Sequence, residues 1–148
     1  MRQELIFAPM GALVLWTSLI LTVIPFMRGI AVARRTIANH DFKRGESERV
    51  PAFAAIPNRN YMNLLEFPML FYVLCVAIYA AHAVDRTALL MAWTYVGLRV
   101  AHSLMHLTFN VVGIRAVIFA ASSITATVMW VLFLIKEFPG GWATVFNF

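Results

Sequence analysis

The chain has 148 residues, 61% of them hydrophobic and 13% charged, and a mean hydropathy of +0.77. It is too short for two ordinary domains and too apolar for one soluble domain; with about 20 residues per spanning helix, four membrane spans use up nearly all of it. A formal charge of +5 does not point to nucleic acid, because the twelve Lys and Arg form no basic face with interleaved aromatics; it reads as a topology signal.

The first uncharged run, Leu5 to Met27, is long enough to cross a bilayer with some tilt. Its nearly neutral start, Met1 to Glu4, lacks the basic leader of a cleaved signal peptide, so we read it as a retained span despite the cleavage-like Ala31-Val32-Ala33. A polar loop follows, with Arg28, Arg34, Arg35, Lys43, Arg44, Arg49 and Arg59 set against Asp41, Glu46 and Glu48. Proline is tolerated in a first helical turn, so Pro57-Asn58 predicts the start of a second span over residues 59–83. Asp85-Arg86 makes a tight turn into a third span, 87–110, and Gly113 marks the turn into a fourth, 115–135, ended by Pro139-Gly140-Gly141. Ser122, Ser123, Thr125 and Thr127 suit that fourth span to packing on its neighbours.

The expected fold is all-α, a single four-helix transmembrane bundle over residues 1–148. The basic loop 28–59 is expected on the cytoplasmic side and both termini on the other, with Trp142, Phe146 and Phe148 anchoring the tail at the interface.

Ionisable side chains within a span are costly in hydrocarbon and mark function by default. Arg59, Asn63 and Glu66, at i, i+4 and i+7, share one helical face, whereas the sole cysteine, Cys75, faces away and reads as packing. Arg99, His102, His106 and Asn110 form a second stripe about 16 Å long. Arg115 opens the fourth span from the same side, so Arg59, Asn63, Glu66, His106, Asn110 and Arg115 can converge on one pocket in the cytoplasmic half. The competing interpretation is structural: these groups pair with one another and hold the helices together. Pro68 removes a backbone donor from the carbonyl of Leu64 and predicts a kink. His102 and His106 have the spacing of a helical zinc site, but the sequence fixes no third ligand and nearby arginines oppose a cation, so no metal is expected.

Arg59-x-x-x-Asn63-x-x-Glu66, with Pro68 close behind, is similar to the span-two signature of the MAPEG family, the membrane-associated proteins of eicosanoid and glutathione metabolism. Arg99-x-x-His102-x-x-x-His106-x8-Arg115 resembles the R-x-x-H-x-x-x-Y-x8-R pattern of that family's prostaglandin E synthase branch, with histidine in place of tyrosine. Ala33-Arg34-Arg35, followed by Ile37-Ala38-Asn39, resembles the basic end of the family's first helix. The likeness covers nearly the whole chain.

The resemblance implies a homotrimer with three glutathione sites between neighbouring subunits, open to the cytoplasmic side. On this footing Arg59 and Asn63 would bind the glutathione backbone, Glu66 its ammonium group, and His102 would line the cleft. Arg99 and Arg34 or Arg35 would complete the cofactor-binding set, since a guanidinium fork suits the tripeptide's carboxylates. Arg115 would stabilise the thiolate, because a nearby guanidinium favours the anion of a thiol. His106 would hydrogen-bond the cofactor or shuttle a proton. Phe119 lacks the hydroxyl of that branch's second tyrosine. The implied activity is that of a glutathione-dependent transferase or peroxidase acting on a lipophilic electrophile, with membrane lipids and further copies of the chain as partners. The alternative is a non-catalytic scaffold or accessory subunit of the same fold.

Overall fold

The computed structural model describes residues 1–35, 37–42 and 49–141. Lys43, Arg44, Glu46 and Glu48 of the basic loop and the tail aromatics Trp142, Phe146 and Phe148 lie outside the described residues.

A 3-10 turn, Gln3–Ile6, leads into α1, Phe7–Ala33. Pro9, Leu13, Thr17, Ile20, Ile24 and Ala31 recur every three, four or seven residues and make its buried face. Leu15, Leu19 and Phe26 point outward, as the surface of a membrane helix requires. The hydroxyls of Thr17, Ser18 and Thr22 fold back onto the carbonyls of Leu13, Val14 and Leu19, so none needs water inside the span.

The second helix, α2, runs from Ala52 to Glu66, and so begins before the predicted Arg59. Pro51, in extended backbone, is its cap, and its carbonyl accepts from the N–H groups of Ala54 and Ala55. The helix-forming Ala52-Phe53-Ala54-Ala55 carries the helix through Pro57, which lies inside it rather than at its start. Ala54 and Ala55 pack with Ala31, Ile37 and Val50 in a small satellite core. At Phe67 the helix breaks, and α3, Pro68–Ala80, continues in the same sense. The missing N–H of Pro68 produces the break, as expected.

α3 ends with His82 in the left-handed region (φ 54°), Ala83 N–H donating to the Ile78 carbonyl and His82 N–H to that of Tyr79. This pattern satisfies carbonyls that a helix end otherwise leaves open. Asp85 then caps α4, Arg86–Leu107, by accepting from Ala88 N–H at 2.8 Å. The last helix, α5, Val112–Glu137, starts three residues before the predicted boundary. Gly113 lies within its first turn; the left-handed turn residue is Asn110 (φ 50°), whose N–H donates to the Met105 carbonyl.

The result is an all-α bundle of four long helices, with α2 and α3 as one interrupted member. Three stretches, Gln3–Ala33, Ala52–Ala80 and Val112–Glu137, are long and apolar enough to cross a membrane. α4 falls short of that mark, so three candidate spans stand where four were expected. It packs against α1, α2 and α5, and its buried face carries Arg99, His102, Ser103 and His106. Its polarity is thus turned inward and screened by its neighbours.

Val84 N–H donates to Gln3, and Lys136 to Asp85 and the Ala83 carbonyl, which puts the chain start, the α3–α4 turn and the end of α5 at one end. The end of α1, the start of α2 and the α4–α5 turn share the other.

Candidate functional site

At that second end lies a cavity of about 360 Å³ lined by Ile56, Asn58, Arg59, Met62, Asn63, His106, Asn110 and Arg115. Five of the six polar residues expected to converge therefore do so. α2 presents Arg59 and Asn63 one turn apart, and the Asn63 amide donates back to the Arg59 carbonyl at 2.9 Å. α4 presents His106 and Asn110, also one turn apart, and Arg115 enters from the first turn of α5.

Arg115 is the hub. Its Nη1 donates to Asn110 Oδ1 at 2.5 Å and faces His106 Nδ1 at 3.4 Å. A guanidinium only donates, so this contact is a hydrogen bond in the His106 tautomer that keeps a lone pair on Nδ1. Both acceptors are uncharged, and no carboxylate lines the cavity among the described residues. Arg59 likewise has no ion-pair partner among them, so two guanidinium charges face one space without a counter-charge. Such an arrangement favours an anion over a cation, and guanidinium forks suit carboxylates.

His102 is placed differently from expectation. It is buried, and its Nδ1 meets the Arg115 carbonyl at 3.0 Å, so it ties α4 to the start of α5 and does not line the cavity. Arg99 is also set deeper, at 0% exposure. Its Nε donates to the Tyr95 hydroxyl at 3.1 Å, and its guanidinium lies 5.4, 5.6 and 4.8 Å from the ring centroids of Phe67, Tyr95 and Phe119.

Glu66 stands apart from the cavity, exposed on the protomer surface near the middle of the Ala52–Ala80 span and without an ion pair among the described residues. Arg34 and Arg35, at the end of α1, are not brought to it either. The Arg34 guanidinium lies 5.9 Å from the ring centroid of Phe53, and Arg35 lines a separate cavity of about 560 Å³ with Ile37, His40, Asp41 and Arg49. Among the described residues no group of three His, Cys, Asp or Glu is placed to hold a metal ion.

Sequence reasoning passed over Asn60, whose buried amide donates to Ser103 Oγ at 2.7 Å and joins α2 to α4. An amide inside a span was itself the available signal. Asn58 was missed because it lies off the 59–63–66 stripe.

Fold and cavity together define a multi-pass helical membrane protein with an internal site suited to anions. The chain belongs to the MAPEG family, which it matches over residues 6–135. That family includes glutathione-dependent transferases and peroxidases, and its members commonly bind glutathione. No curated protein and no solved structure gives a match.

Proposed function

We propose that the protein is a membrane-bound glutathione-dependent transferase or peroxidase that acts on lipophilic electrophiles. The observation that carries this is the Arg115 guanidinium, held by two uncharged acceptors and left with its charge free toward the cavity. Bound there, glutathione supplies a sulfur nucleophile. Arg115 lowers the cost of the thiolate, and the thiol proton passes to solvent through the open mouth. Arg59 and Asn63 engage a carboxylate and an amide of the tripeptide backbone. The neutral His106 presents Nε2–H as a donor where the related branch has a phenol.

Glu66 supports a site shared between protomers. A carboxylate exposed at mid-span is costly against lipid, so a neighbouring copy covers it, in keeping with the trimers typical of the family. In that arrangement Glu66 meets the ammonium group of glutathione, and Arg34 or Arg35 of a neighbouring protomer reaches its remaining carboxylate. Arg99 and His102 then support the site from behind. Among the described residues the cavity end carries Arg28, Arg34, Arg35, Arg49, Arg59 and Arg115 against Arg2, Arg86 and Lys136 at the other, which supports a cytoplasmic orientation of the cavity.

One observation favours the alternative of a non-catalytic scaffold: Phe119 offers no hydroxyl, and its ring is spent on Arg99 and His102. Glutathione binding to the detergent-purified protein, followed with the ultraviolet thiolate band, separates the two. Saturable binding with a thiolate band that Arg115→Ala abolishes and Arg59→Ala weakens supports the transferase. No binding at millimolar glutathione overturns it and leaves the scaffold.

A further inference from the structure

Arg115 depends on α4 for its position. His102 holds its carbonyl, His106 faces its guanidinium, and the shortest contact is made by Asn110 Oδ1. Asn110 is the residue that ends the α4 region in the left-handed conformation, with φ 50° and its N–H on the Met105 carbonyl. Two demands therefore meet at one position: a backbone that few residues adopt, and an oxygen aimed at Arg115.

Glycine would meet the first demand best, but has no oxygen. Aspartate would meet both, since it tolerates the left-handed region and makes a stronger hydrogen bond to a guanidinium. It would also place a carboxylate on Arg115 and cancel the charge that the cavity offers. Asparagine alone among the three supplies the oxygen without the charge.

We propose that Asn110 is the positioning residue of Arg115, aiming its guanidinium into the cavity while leaving its positive charge free for the sulfur anion. This rests on the glutathione reading above. It assigns a task to a residue outside the Arg99-to-Arg115 motif positions, one that any left-handed turn former would otherwise serve equally well.

The test compares wild type, Asn110→Asp and Asn110→Gly in detergent, with thermal unfolding as the check on folding. Two probes are used: S-methylglutathione, which reports binding without a thiol, and glutathione, whose bound thiol is titrated by its ultraviolet thiolate band. For Asn110→Asp we expect S-methylglutathione to bind within about tenfold of wild type. The bound thiol of glutathione should then titrate close to the free value of about 8.5, with about tenfold less thiolate at neutral pH. Asn110→Gly should fold and show a smaller shift in the same direction, and it carries the test alone if Asn110→Asp does not fold. A turn-forming role predicts the wild-type titration in both variants, and that result overturns the proposal while leaving the glutathione site standing. Wild-type protein that binds neither probe overturns the site and the proposal together.

Discussion

The Arg99 guanidinium lies 4.8 Å from the centroid of the Phe119 ring, and this contact joins the middle of α4 to α5. Phe67, at the break between α2 and α3, and Tyr95, one turn before Arg99, supply two further ring faces. Nη1 and Nη2 find no hydrogen-bond partner among the described residues. Desolvated cation–π contacts are worth about 2 kcal/mol, whereas burying an ion costs several. The charge is therefore a net liability within the protomer. Arg99→Met should unfold in detergent at the wild-type temperature or a few degrees above it. Arg99→Lys should unfold lower, because an ammonium is more strongly hydrated and cannot stack as a plane. A large loss of stability in Arg99→Met would show that the guanidinium has a counter-charge in the assembled protein.

At the opposite end, Asp85 caps α4 and meets Lys136 at 3.0 Å. The Ala88 N–H, and after it Lys136, hold this carboxyl below the usual carboxylate range. Since the folded value is the lower one, its stabilisation is fully present above the unfolded value of about 3.9 and is lost as pH falls through the folded value. The exposed ion pair itself is worth little. Asp85→Ala should cost about 1 kcal/mol through the lost cap, and Asp85→Asn, which keeps a capping oxygen, only a few tenths. Thermal unfolding at neutral and acidic pH checks both, and the gap between wild type and Asp85→Ala should shrink in acid.

Much of this architecture was readable in the sequence wherever composition alone decides it. The apolar runs of α1 and α5 are long enough to span by themselves, and the stripes at 59–63 and 106–110 converge because helical spacing leaves few alternatives. What escaped depends on tertiary partners. The Phe67 and Phe119 rings that enclose Arg99 come from two other helices, and no spacing within α4 announces them. The start of α2 was misplaced because Pro57 looks like a first-turn residue, whereas Pro51 precedes four residues with strong helix-forming or packing roles. The expected convergence of Glu66 failed within one protomer because α2 turns it outward.

The Asn60–Ser103 hydrogen bond is the one polar side-chain link between α2 and α4 among the described residues. It lies in the buried interior, where neither partner has water as a substitute. Measured couplings of this kind between membrane helices average about 0.6 kcal/mol and reach about 1.7. A double-mutant cycle with Asn60→Ala and Ser103→Ala, read by unfolding in detergent, should give a coupling toward the upper part of that range. Strict additivity of the two single changes would show that the bond adds nothing to the packing.

The orientation of the bundle is testable through its single cysteine. Cys75 has no exposed surface, so the unaltered protein should react slowly with a membrane-impermeant maleimide from either side. It thus provides a silent background for cysteines placed at exposed arginines on the two ends. Arg49 belongs to the cavity end and Arg86 to the opposite end. The excess of arginine and lysine at the cavity end predicts that Arg49→Cys is labelled only when the cytoplasmic face is open to reagent. Arg86→Cys should show the reverse pattern. Labelling of Arg86→Cys from the cytoplasm would invert the protein and put the cavity mouth in a compartment where cytosolic glutathione does not reach it directly. Labelling of both from one face would instead remove Ala52–Ala80, the stretch that lies between them, from the set of spanning helices.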